Sequence, residues 1–98
     1  MSTAGFDELI HAPVRLKICV MLATADAVEF AQLRDRLGVA DSVLSKHLKV
    51  LADADYVTLD KPTGNGRVRT WALLTAQGRA ALKGHLVALQ AMAASVEA

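Results

Sequence analysis

The chain of 98 residues has one cysteine, Cys19. A lone cysteine closes no internal disulfide, so a disulfide scaffold is excluded and a reducing cytoplasm is the expected compartment. Long hydrophobic runs are also missing. The longest strongly apolar stretch, Ile18–Ala23, falls far short of the roughly 20 residues that span a bilayer, and no membrane partner is expected. The first ten residues, MSTAGFDELI, contain acids and no cationic segment leading into an apolar core, so they do not read as a secretory leader. No segment repeats, although the last residues are rich in alanine.

The signatures of catalysis are absent too. There is no Gly-rich phosphate loop, no HExxH pair and no serine in a nucleophile elbow. Ser45 and His47 are two residues apart, a spacing that cannot bring them together on a helix. His11, His47 and His85 show no close ligand spacing and no cysteine pair accompanies them, so neither a metal nor another cofactor is expected. The chain does not read as an enzyme.

Bulk charge is nearly balanced, at +1, but its distribution is not. Residues 1–45 carry four bases against six acids, whereas residues 46–83 carry seven bases against three. Positive charge therefore gathers in the second half, where a nucleic-acid partner would meet it.

That half begins with the most informative stretch, GVADSVLSKHLKVL, from Gly38 to Leu51. Gly38 can end one helix because it takes a positive φ without steric cost. Asp41 is placed to cap the next by accepting a backbone N–H. Leu44, Leu48 and Leu51 make one apolar stripe, and at about 100° per residue Ser42, Ser45, Lys46 and Lys49 fall on the other side. A polar, cationic helix face after a tight turn suits the major groove of DNA. An ordinary amphipathic surface helix has a similar composition.

Upstream, Phe6, Leu9 and Ile10 suggest a short first helix, and Pro13 opens a second over about residues 14–25. Cys19 is read there as a small buried hydrophobe. After a break with a short extended piece at Val28, residues 29–37 form a third helix with Phe30, Leu33 and Leu37 on one face. Joined by the Gly38 turn to the next, this gives a helix-turn-helix pattern over about residues 29–54.

Downstream the period changes. Residues 56–61 and 67–73 are β-prone and flank a five-residue turn cluster at 62–66. Lys61, Arg67 and Arg69 gather near the tip of this hairpin, either as a solubilising edge or as a wing that lays cations on phosphates or into the minor groove. Trp71, nearer the base, is expected to pack on the core. Thr75 then caps a last helix, in which Leu82, Leu86, Leu89, Ala93 and Val96 form a stripe two heptads long. A small domain does not need so long a stripe to cover itself, which points to a second copy of the chain. A helix folded back entirely on its own domain is the alternative.

The expected fold is mainly α with a small β-hairpin: one winged helix-turn-helix domain over residues 1–98, with a wing at about 56–74 and a C-terminal dimerisation helix at about 75–96. HAPVRLKICVML (11–22), LSKHLKVLADADYV (44–57) and GRVRTWALLTAQGR (66–79) are spread over most of the chain, from residue 11 to residue 79. In these phrases, order and spacing, it resembles the small winged-helix transcriptional regulators related to the MarR and ArsR families. The resemblance implies a cytoplasmic homodimer that binds double-stranded DNA at an inverted-repeat operator. It places Ser42, Val43, Ser45, Lys46 and Lys49 in the recognition helix and Lys61, Arg67 and Arg69 in the wing. His47 matches a histidine frequent in these families and is expected to be structural rather than base-reading. Paired cysteines of the metal-sensing members are missing, so metal sensing is not implied. The resemblance leaves room for a small-molecule effector whose identity the residues do not specify. The alternative is a winged helix used for protein contacts without DNA binding, against which the outward serines and lysines argue.

Overall fold

The computed structural model describes residues 4–64 and 67–97. The first helix, α1, spans Glu8–His11 and is capped by Asp7, whose carboxylate accepts the Ile10 N–H at 3.1 Å. Pro13 begins α2, Pro13–Ala23, which ends two residues before the sequence predicts. Strand β1 is the extended piece at Val28–Glu29 and leads straight into α3, Phe30–Leu37. Gly38 closes α3 at φ 66°, the left-handed conformation expected of it. Helix α4 is Asp41–Asp53. Strands β2 (Val57–Asp60), β3 (Thr63–Gly64), β4 (Arg67–Val68) and β5 (Trp71–Leu74) follow, and α5 runs over Ala76–Glu97.

Two expectations are corrected here. Asp41 does not cap α4. Ala40 takes the capping position, and Asp41 enters the first turn with its carboxylate 3.2 Å from the Arg34 guanidinium. A carboxylate in the first turn is still favoured by the helix dipole, and the cation across the turn draws it away from the backbone N–H groups. The five-residue loop at 62–66 is not one loop either. Thr63 and Gly64 pair with Val68 and Arg67, so the hairpin continues through part of the turn cluster. Asn65 and Gly66 lie outside the described residues.

The main sheet is antiparallel in the order β1-β5-β2. Val28 and Leu59 both lie opposite Ala72, and Val57 lies opposite Leu74. Alternation along the strands puts Val57 and Ala72 inward, where they meet Ile18, Cys19 and Leu22 of α2, Leu33 of α3 and Leu44, Leu48 and Leu51 of α4. Each such leucine, taken fully out of water, contributes about 1.5–3 kcal/mol. This burial holds α4 by its apolar stripe and leaves the opposite face outside. Trp71 is half-buried in β5, but the adjacent Ala72 takes the inward face, so Trp71 is not among the side chains packed against the core, contrary to the sequence expectation. Cys19 is fully buried, and burial together with Asp7 pushes its thiol up to about 11, so it stays protonated.

Thr75 caps α5 as predicted, its hydroxyl accepting the Gly78 N–H at 2.9 Å while donating to the Asp55 carbonyl at 2.7 Å. Gly78 is required for contact rather than conformation: a Cβ there would strike the Tyr56 carbonyl oxygen. The face of α5 turned to its own domain is Gly78, Leu82, His85 and Ala88. Leu82, expected in an intermolecular stripe, is therefore buried in the core of its own chain at 4% exposure. The rest of that stripe lies outside the core. Leu89 is half-buried, Ala93 is exposed, and Leu86 and Val96 are 37% and 84% exposed.

The N-terminal segment closes the fold against α5. Asp7 N–H donates to His85 Nδ1 at 3.0 Å, and His85 Nε2 lies 3.2 Å from His11 Nδ1. Tyr56 donates its hydroxyl to the Asp7 carboxylate at 2.6 Å, and the Phe6 ring packs against both histidines. No helix among the described residues is long and apolar enough to cross a membrane.

Candidate nucleic-acid interface

Because Leu44, Leu48 and Leu51 hold α4 to the core, the side chains of Ser42, Val43, Ser45, Lys46 and Lys49 are all exposed. Lys46 makes no ion pair among the described residues. Lys49 is paired to Asp53 one turn on, at 3.0 Å. That pair is solvent-exposed at both ends, where such bridges contribute little and exchange readily. Arg34, near the end of α3, is held by Asp35 and Asp41 at 3.0 and 3.2 Å. The first turn of α4 and the last of α3 are thereby tied together by charge as well as by the Gly38 turn.

The wing root adds the second half of the surface. Lys61 and Arg69 are exposed on the two arms of the hairpin. Arg67 stands opposite Gly64 in the outer strand pair; its side chain lies outside the described residues. Between α4 and the wing root is a cleft of about 240 Å³ lined by Phe30, Leu48 and Leu59 at its apolar part and by Ser45, Lys49, Lys61 and Thr70 at its polar part. The fold thus brings Ser45 and Lys49 of α4 together with Lys61 of the wing across one opening. Ser42, Val43 and Lys46 are not part of it and lie elsewhere on the outer helix face. Two hydroxyls and two ammonium groups around a shallow opening match the acceptor oxygens of a phosphate chain.

Sequence reasoning missed Thr70 and Phe30 as cleft residues. Their meeting depends on the Phe30 N–H donating to the Thr70 carbonyl at 2.8 Å, which extends the pairing of β1 with β5. A two-residue strand has too short a pattern to announce that register. It also missed the partner of His47. Arg15 of α2 places a guanidinium nitrogen 3.1 Å from His47 Nδ1. His47 is half-buried beside the apolar stripe, as expected of a structural residue. Burial, followed by the Arg15 and Lys46 charges, holds its pKa below the ordinary histidine value.

The comparisons bear on the family and the fold. An uncharacterized protein of Methanocaldococcus jannaschii is 30% identical over 90 residues, covering 92% of this chain and 98% of that protein. The solved structure of a transcriptional regulator homologue from Pyrococcus horikoshii superposes with a TM-score of 0.88 at 26% identity, over 94% of this chain and 91% of that one. A possible transcriptional regulator for arsenical resistance superposes at 0.66 with 28% identity, over 84% and 80%. Family and fold are those of a DNA-binding regulator and not of an enzyme. The model of the winged helix DNA-binding domain matches residues 14–93, most of the length, and the chain belongs to that family.

Proposed function

We propose that the chain is a transcriptional regulator that reads double-stranded DNA as a symmetric dimer. Helix α4 enters the major groove, where Ser42, Val43, Ser45 and Lys46 reach base edges. Lys49, Lys61, Arg67 and Arg69 hold the flanking phosphates, the wing lying along the backbone or minor groove. The exposed part of α5, from Leu86 to Val96, joins the two copies. The observation that carries the reading is the shared cleft: Ser45 and Lys49 of the helix and Lys61 and Thr70 of the wing face one opening. A helix meant only for solvation has no reason to share its polar face with a hairpin root.

The test is retention of random genomic fragments by the protein at graded salt, with sequencing of what is retained. A regulator enriches fragments that share an inverted repeat with half-site centres about 10–10.5 base pairs, or a multiple, apart. Retention that falls with salt but enriches no sequence leaves only a non-specific binder. No retention at low salt favours a winged helix used for protein contacts.

A further inference from the structure

Arg15 lies outside the outer face of α4 and outside the cleft, yet its side chain ties the recognition helix to the N-terminal helices by a polar bond. It is half-buried in α2. Its Nε donates to the Leu9 carbonyl in α1 at 2.6 Å, and one terminal nitrogen lies 3.1 Å from His47 Nδ1 in α4. One planar fork thus spans three helices. A guanidinium carries donors only, so His47 Nδ1 must be the acceptor and the ring must be neutral with its proton on Nε2. His47 follows Lys46 directly, so the angle at which α4 presents Lys46 depends on where His47 is held. From this geometry we infer that Arg15 is a positioning residue for DNA recognition, acting through neutral His47 to fix the rotation of α4 in the groove. The inference rests on the DNA-binding reading.

Two consequences separate this role from a phosphate contact made by Arg15 itself. First, loss of a positioning bond weakens cognate DNA while the number of phosphates neutralised, and hence the salt slope, stays the same. Second, the bond exists only while His47 is neutral. Protonation puts an N–H against the guanidinium and a second cation beside Arg15 and Lys46. Arg15 from α2 and Lys46 on its own helix are the charges acting on the ring. From α3, Arg34 is already engaged by Asp35 and Asp41. Because the folded state keeps the His47 pKa low, the strut is intact at neutral pH and is lost as pH falls through that pKa. Most histidines near DNA gain phosphate affinity in acid, so the sign is opposite to the usual one.

The experiment compares the wild type with Arg15→Met, which keeps the aliphatic stem, and His47→Gln, whose amide oxygen can accept the Arg15 bond without titrating. Affinity for the retained operator and for a random duplex is measured at several salt concentrations and from about pH 8 to about pH 5. Arg15→Met is expected to lose about tenfold for the operator with an unchanged salt slope, a loss of the size of one hydrogen bond to a charged group. His47→Gln is expected to stay close to wild type at pH 8 and to hold its affinity in acid where the wild type falls. A salt slope lowered by about one unit in Arg15→Met would make Arg15 a phosphate contact and overturn the inference, as would parallel pH profiles for wild type and His47→Gln. If the wild type binds no duplex at all, the DNA reading fails separately. Amide exchange of residues 41–53 in the free protein then decides: faster in Arg15→Met supports the strut, and unchanged exchange refutes it.

Discussion

His85, fully buried on α5, gives its only ring N–H to His11 on α1, with Nε2 and Nδ1 3.2 Å apart. The direction follows from the other nitrogen. His85 Nδ1 accepts the Asp7 N–H at 3.0 Å, so the proton must sit on Nε2, and His11 Nδ1 must be bare to receive it. Protonating His85 turns Nδ1 from an acceptor into a donor and sets it against the Asp7 N–H.

Stability should therefore fall in acid beyond what carboxylate titration alone produces. Burial first, and the neighbouring His11 second, lower the His85 pKa, while Asp7 opposes them. A histidine with a lowered folded pKa stabilises the fold above its unfolded pKa, and that contribution disappears as pH drops through the folded value. Tyr56, pushed up to about 12 chiefly by its hydrogen bond to Asp7, and Cys19, at about 11, remain protonated throughout, so His85 carries this part of the slope. Urea unfolding between about pH 8 and about pH 5 measures it. His85→Gln, less stable at pH 8, should show a shallower dependence; an equally steep one would place the titrating group elsewhere.

Gly78→Ala should destabilise the chain by about 1–3 kcal/mol, the cost of overpacking at a site that cannot relax. The obstacle is the Tyr56 backbone carbonyl, which also accepts the Thr75 N–H at 3.0 Å and cannot swing aside. The thermal midpoint in calorimetry gives the value. A change within about 0.5 kcal/mol, ordinary for a surface site, would show that α5 can slide off Tyr56.

Charged residues at Leu86 and Leu89 should give a folded monomer. Leu86 is exposed, Leu89 is half-buried, and neither belongs to the core, so the core remains intact. Sedimentation gives the mass and circular dichroism the fold. The same change at Leu82 should unfold the chain instead, because Leu82 is a core residue. A Leu86, Leu89 double mutant that still sediments as a dimer would move the interface to another surface.

Reading and anchoring should separate between Lys46 and Arg69. Lys46→Ala should weaken the operator by about 1–3 kcal/mol more than random DNA, as for a lost base contact. Arg69→Ala should weaken both alike and lower the salt slope by about one. Titrations of one specific and one random duplex at several salt concentrations distinguish them. If Arg69→Ala lost discrimination and Lys46→Ala changed only the slope, the two roles would be exchanged.

The fold was legible wherever one residue carried one unambiguous demand. Gly38, Pro13 and Thr75 each mark a helix boundary where the structure has one, and Leu44, Leu48 and Leu51 announce the buried side of α4 through period alone. The stripe on α5 was harder to read. Leu82 belongs to two patterns, one running to Leu86 and Leu89 and one to His85 and Ala88, and hydrophobicity favoured the first. The second won because a histidine is as good a core residue as a leucine when Asp7 and His11 satisfy both its nitrogens. Asp41 had two attractive partners, and only the tertiary position of Arg34 decided between them. The Arg15–His47 bond joins residues 32 positions apart and has no local signal at all.

The ion pair between Lys49 and Asp53 has a consequence for how the protein searches a genome. In the free protein Asp53 already occupies the place of an anion beside Lys49, 3.0 Å away. On the proposed reading, a phosphate arriving there displaces a carboxylate that exchanges readily but, unlike a salt ion, stays tethered one helical turn away. Whenever Lys49 keeps its carboxylate it neutralises no phosphate, so fewer cations leave the DNA than the count of lysines suggests, and chance encounters are held more weakly. Asp53 acts as a resident competitor, so removing it as Asp53→Ala should slow sliding off random sequence and narrow the gap between the right site and the rest.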